Sequence, residues 1–395
     1  MTEGRSKRLR ELASLFTRLG FTAFGGPAAH VALMEDEIVT RRKWLDRAHF
    51  LDLIAAVNFV PGPNSTELAI HIGQLRAGLP GLIVAGACFI CPAMLIILVI
   101  SWAYVRFGAI PQVIPALHSV TAAVVAIILY AICRFARTAI KDVFTLILLI
   151  LVAALHILGT HQATPQPELM LLFAAAIGGA FWYHAQRTRS AHKFLILALP
   201  PSFWPDIARM ALVLLKIGAT LFGSGYVLIT YLQSDMVDRR GWLTQQQLAD
   251  AIAVGQFTPG PLLTTSTFVG FLLGHTRFNG GIPGGILGGI VATVAIFLPA
   301  FILVALLGHL LQKLRASIWA RGALDGMNSA VVGLVILPLL RLGIPSLYNA
   351  SAVKIDWLNL LILLASLMGL RKKINATWLI IAAGLAGSIA SAILG

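Results

Sequence analysis

Hydrophobic residues run almost unbroken over 79–107, 115–140, 143–158 and 169–185, and again over 282–311, 320–342, 355–369 and 376–394. They lack the polar alternation of a half-wetted strand or surface helix. Runs of about 17–25 apolar residues match a bilayer's hydrocarbon core, about 30 Å thick. Each set of four is preceded by two apolar stretches with breakers inside them. Stretch 14–39 is cut at Gly25-Gly26-Pro27 and 46–77 at Pro61-Gly62-Pro63. Stretch 208–237 is cut at Gly223-Ser224-Gly225 and 244–274 at Pro259-Gly260-Pro261. Proline lacks a backbone donor and clashes with the preceding turn, so each Pro-Gly-Pro interrupts a helix and leaves unpaired helix ends.

The pattern is a repeat. A constant shift of 198 residues carries Pro61 to Pro259, Gly20-x-Thr22-x-Phe24-Gly25 to Gly218-x-Thr220-x-Phe222-Gly223, and Arg41-Arg42-x-Trp44-Leu45 to Arg239-Arg240-x-Trp242-Leu243. Beyond an insertion near 275–281 the shift becomes 207, carrying Pro92 to Pro299 and Arg134 to Arg341. Self-similarity of this kind marks duplicated units. The expected architecture is an all-α polytopic membrane protein. It comprises an N-terminal repeat (1–192), a linker (193–206) and a C-terminal repeat (207–395), each repeat with two broken or re-entrant helices plus about four spans.

Composition agrees: 58% of residues are hydrophobic, 12% are charged, and mean hydropathy is +0.86. The formal charge of +14 is spread over short loops, which fits topology signals and excludes a nucleic-acid surface. No cleavable signal peptide is evident after the basic Arg5–Arg10 start. Arg134, Arg137 and Lys141 face a neutral 158–167 loop in one repeat. The matching loop of the other carries Arg371-Lys372-Lys373, so equivalent loops fall on opposite sides and the repeats read as inverted. Whether the broken elements span or re-enter, or the linker crosses, stays open.

The breaks are the first candidate site. Pro63 suits the first turn of a new helix, and the N–H groups beyond it, with Asn64, Ser65 and Thr66, present the positive end of a helix dipole. Pro261, Thr264 and Thr265 repeat the arrangement. With Gly25, Gly26, Gly223, Ser224 and Gly225 as close-approach walls, such ends suit a small oxyanion. Plain kinks are the alternative. Arg18 and Lys216, equivalent cations within apolar stretches, read as counter-charge to a dianion or as snorkelling side chains. Asn58 and Gln256 are amides that either donate to an oxyanion or cap freed carbonyls.

Glu67, which Thr265 replaces in the second repeat, is a proton-coupling candidate or a cap. His30 and His71 could titrate but read better as satisfied core residues. The acidic pairs Asp52/Asp250 and Glu37/Asp235 lie near the Arg-Arg-x-Trp loops and are expected to hold them by salt bridges. Arg41, Arg42, Trp44, Arg239, Arg240 and Trp242 are assigned there as structural. Gly280, Gly284 and Gly288, with Gly281, Gly285 and Gly289, permit close helix approach within the protein or at a homodimer seam. Cys88 and Cys91 read as buried thiols. No metal cluster, nucleotide loop or catalytic triad is recognisable, and no cofactor is called for.

These motifs resemble the chromate ion transporter family in its long, two-domain form. The matching residues are 18–27 (RLGFTAFGGP), Ala29-His30, 34–39 (MEDEIV), Trp44-Leu45, Pro61-Gly62-Pro63-Asn64, 222–226 (FGSGY), Trp242-Leu243 and 256–261 (QFTPGP). Arg18 stands where lysine is the commoner residue. The resemblance covers the whole chain. It implies a multi-pass protein of the bacterial inner membrane that exports chromate chemiosmotically, conferring chromate resistance, with protons as coupling ion and sulfate as mimic. A carrier of sulfate or another oxyanion, a passive anion channel and a membrane-embedded reductase using Cys88 and Cys91 are the competing readings.

Overall fold

Where proline and glycine interrupt the apolar runs, the helices break and turn back. The computed structural model describes residues 2–24, 27–108, 113–159, 167–185, 206–222, 225–307, 317–349 and 354–394. Helix α1 (Thr2–Thr22) ends before the first glycine break, and α2 (Pro27–Glu35) runs on through a π-helical turn, Asp36–Arg41. Helix α3 (Arg47–Val57) is started by the Asp46 carboxylate, which accepts the His49 N–H at 2.7 Å, and it stops before Pro-Gly-Pro. Helix α4 (Asn64–Phe107) is two arms joined by a bend at Ala77 and Gly78. Then follow α5 (Val113–Ala139), α6 (Val143–Gly159) and α7 (Pro167–Ala185).

The second repeat copies this order. Helix α8 (Asp206–Thr220) leads to α9 (Val227–Leu232) with its π turn, Gln233–Asp238, and then to α10 (Gln245–Phe257). A 3-10 turn, Leu262–Thr264, leads into α11 (Thr265–Leu272). Helices α12 (Gly281–Leu307), α13 (Ile318–Leu347), α14 (Trp357–Arg371) and α15 (Ala376–Leu394) complete it. A two-residue strand pair, Tyr348–Asn349 with Lys354–Ile355, precedes α14. Among the described residues, five helices are long and apolar enough to cross a membrane. Outward-facing Ile147, Ile150, Trp378, Leu385 and Ile389 give α6 and α15 the apolar exterior that a bilayer covers.

Both broken elements of the first repeat are re-entrant. Arg76, at the end of the first arm of α4, pairs with Glu11 midway along α1 at 2.9 Å and lies 4.4 Å above the Trp44 ring before α3. The chain therefore enters and returns twice at this proximal face. The two arms of α4 touch at Gly73 and Gly81, where a Cβ on either would strike the other's carbonyl oxygen; Gly270 and Gly288 close α11 on α12 in the same way. Gly274 meets Gly284, Gly285 meets Phe271, and Gly289 meets Leu98 and Thr267, so both glycine rows pack inside the protein rather than at a dimer seam.

The second arm of α4 crosses to the distal face, where the Tyr104 hydroxyl donates to Asp250 of α10 at 2.6 Å. Asp250 lies close after the Arg239-Arg240 loop, so the second repeat enters from the face opposite the first. The repeats are inverted. Ala185, near the Phe181–Trp319 ring pair and the start of α13, lies proximally, whereas α8 starts distally. Of the expected linker, only Asp206 is among the described residues. The repeats also exchange their last helices: α6 and α7 pack on α13 of the second repeat, and α14 and α15 pack on α5 of the first.

Candidate functional site

The four breaks are tied together crosswise. The Gly62 N–H donates to the Leu221 carbonyl at 2.6 Å, and the equivalent Gly260 N–H donates to the Ala23 carbonyl at 3.0 Å. Each Pro-Gly-Pro thus docks on the end of the other repeat's first helix. Gly62 and Gly260 sit at φ 138° and 98°, a region that only glycine adopts without strain. Pro63 and Pro261 are extended cap residues (ψ 103° and 137°), so each new helix starts one residue later than the expected first turn. The Thr66 and Thr264 amides are satisfied by the Pro63 and Pro261 carbonyls at 2.7 and 3.0 Å, which leaves the N–H groups of residues 64–65 and 262–263 as the dipole ends.

Polar side chains at the two breaks differ. Asn64 donates to Asn58 at 2.6 Å, bracing the first break across itself. Gln256 instead meets the Tyr226 hydroxyl. The Thr264 hydroxyl donates to the Pro261 carbonyl at 2.6 Å, whereas the Thr66 and Thr265 hydroxyls are buried and have no partner among the described residues. Ser65 bonds His30 Nδ1 at 3.2 Å while His30 Nε2 bonds the Ala23 carbonyl at 2.9 Å, so His30 ties the two breaks of its repeat together. Glu67 is fully buried, its two oxygens unpartnered, and its carboxylate lies where a Cβ on Gly62 would stand. His71 is buried one turn further along. Gly225 packs beside Leu262; Gly25, Gly26, Gly223 and Ser224 lie outside the described residues.

Arg18 and Lys216, the expected counter-charge, are each held in an ion pair in this structure. Arg18 pairs with Glu37 at 2.5 Å, and Lys216 pairs with Asp235. Glu37 also meets Arg41 and Arg42 at 3.4 and 3.3 Å, and Asp235 meets Arg239 and Arg240 at 3.4 and 2.9 Å. Arg42 and Arg240 cover the Trp44 and Trp242 rings at 5.3 and 5.4 Å. Two equivalent ion clusters therefore clamp the hairpins, one at each face, and take up the charge of residues 18 and 216. Lys216→Ala is expected to destabilise the protein by about 1–3 kcal/mol, because it strips a partner from a buried carboxylate. Lys216→Arg should hold the fold, and thermal melting in detergent compares the two. The expected Asp250 salt bridge is corrected: Asp250 accepts from Tyr104 and from Gln246 at 2.9 Å and does not pair with the arginine loop. Asp52 is exposed on α3.

Sequence reasoning missed the approach to these breaks. A cavity of about 560 Å³ runs from the proximal face, between the end of α5 and the α14–α15 turn, to Phe24, Gly260, Thr258, Gln256 and Tyr226. Arg134 and Lys373 line its outer part. Both had the look of loop charge, and only the packing of α14 and α15 on α5 brings them together. Cys88 and Cys91, on the second arm of α4, do not line it.

The chromate transporter family profile matches residues 10–180 and 208–388. The chain belongs to the chromate transporter family. Relatives of this family include the chromate transport protein of Cupriavidus metallidurans, 28% identical over 98% of this chain and 94% of its own length. The chromate transport protein of Pseudomonas aeruginosa is also 28% identical, over 95% of this chain and 91% of its own. The uncharacterized transporter YwrB of Bacillus subtilis is 28% identical over 47% of this chain but 93% of its own length, so one such protein corresponds to one repeat. No solved structure matches the chain. Family membership and the apolar helices together make this a multi-pass membrane transport protein.

Proposed function

We propose that the protein is a secondary active transporter that exports chromate across the bacterial inner membrane, driven by the proton motive force, with sulfate as competing mimic. Chromate is the cargo named for the Cupriavidus metallidurans and Pseudomonas aeruginosa relatives. The observation that carries the reading is the cavity, which leads from the proximal face to the crosswise-tied breaks. Helix ends at residues 64–65 and 262–263, the Thr66 and Thr265 hydroxyls and the Gln256 amide offer donors to a tetrahedral oxyanion without a full counter-charge. Pro61 and Pro259 hold those ends open. The proximal face carries Arg41, Arg42, Lys43, Arg137, Lys141, Arg371 and Lys372 beside the basic start of α1, which assigns it to the cytoplasm.

A passive channel would need a second opening. Among the described residues, Arg341–Asp238 at 2.5 Å, Arg239–Glu168 at 3.0 Å and Tyr104–Asp250 at 2.6 Å tie elements together on the distal side. These ties, set against the proximal cavity, suit alternation. Everted vesicles containing the protein are expected to accumulate chromate saturably, with sulfate competing and a protonophore abolishing uptake. Uptake indifferent to the protonophore would remove the coupling, and no uptake would remove the substrate.

A further inference from the structure

We propose that Arg134 and Lys373 form an anion-selecting vestibule, the first station of a divalent oxyanion on its way from the proximal face to the breaks. This rests on the transport reading above and adds where selection by charge begins. The cavity walls are largely apolar, with Ile127, Phe135, Leu370 and Ile374 among them, and among the described residues Arg134 and Lys373 are its only charged lining residues. Two like charges in a low-dielectric funnel focus their field down its axis and raise the local concentration of the opposite ion.

The repeat supplies an internal comparison. Arg341, the mate of Arg134, is bound by Asp238 at the distal face, whereas Thr40 occupies the position equivalent to Asp238 in the first repeat. Arg134 is left exposed with no carboxylate partner among the described residues, and neither has Lys373 one. The inner end of the cavity is asymmetric in the same sense. Gln256 lines it and meets Tyr226, while its mate Asn58 is engaged by Asn64 across the first break. Charge at the mouth and the Gln256 amide at the floor define an anion path from the proximal face.

Two measurements test the vestibule. In a background with Cys88, Cys91 and Cys133 replaced by serine, Thr138→Cys places a thiol on the cavity wall. A sulfonate-bearing methanethiosulfonate is expected to react about tenfold faster there than a quaternary-ammonium reagent of similar size. Sulfate should slow that reaction, and the preference should vanish in Arg134→Gln/Lys373→Gln and shrink as salt rises. In everted vesicles the same double variant should raise the KM for chromate about tenfold with little change in kcat. Arg137→Gln and Arg371→Gln, exposed cations of the same face outside the cavity lining, should leave KM unchanged. Equal rates for the two reagents, or a wild-type KM and salt response in the double variant, would overturn the proposal. Should the wild-type protein move no chromate while the reagent preference persists, the vestibule stands and the transport reading falls.

Discussion

Alanine at Gly260 is expected to cut chromate uptake by about 5- to 150-fold while the protein still inserts and purifies as a single species. The backbone there has φ 98°, where an L-residue costs of order 1–3 kcal/mol, and the new methyl would stand 2.7 Å from the Ala93 Cβ, which has nowhere to rotate. The strain falls on the N–H that docks on Ala23, so the break is pulled from the inner end of the cavity. Gly62→Ala should act through the same mechanism at Leu221, more gently because the obstructing Glu67 carboxylate can turn aside. Since the two contacts belong to one crosswise unit, the double variant should lose less than the two singles added together. Initial rates of vesicle uptake for all four proteins decide it. Strict additivity would mean that the breaks work as separate kinks.

The second large effect is expected at Glu67. Its carboxyl group is buried without a partner among the described residues, beside the break that docks on the second repeat. The equivalent Thr265 cannot carry a proton at all. An isolated ion is costly in such surroundings, so a carboxyl group placed there is suited to exchanging a proton as the anion passes. Glu67→Gln keeps the shape and removes the exchange. Uptake driven by a pH gradient should fall about 100-fold or more toward the uncoupled rate. Exchange of chromate for chromate, which needs no net proton movement, should continue near the wild-type rate. Unaltered pH-driven uptake would take Glu67 out of the coupling path.

Much of this architecture is written in the repetition of the chain. The shift from Pro61 to Pro259 announces paired breaks, and basic loops at unmatched positions announce inversion. Parity was not legible, because a re-entrant hairpin and a broken span can have the same length and hydropathy; the Arg76–Glu11 and Arg76–Trp44 contacts decide it. Equivalence also misled at residues 18 and 216. It showed that a cation recurs, but not that Glu37 and Asp235, which recur with it, lie one hairpin away and neutralise it. The vestibule was invisible for a further reason. Repeat motifs describe what the halves share, while Arg134 and Arg341 differ only in what each faces in this conformation.

The exchange of terminal helices between repeats limits how the molecule can move. With α6 and α7 seated on α13, and α14 and α15 on α5, neither half can swing as a rigid body without dragging helices that belong to the other. Those six helices behave as an interlocked frame. The hairpins carrying the breaks are held to that frame by ion clusters near their feet and by two backbone hydrogen bonds at their tips. Switching access from one face to the other is then a matter of short pistons working inside a fixed casing.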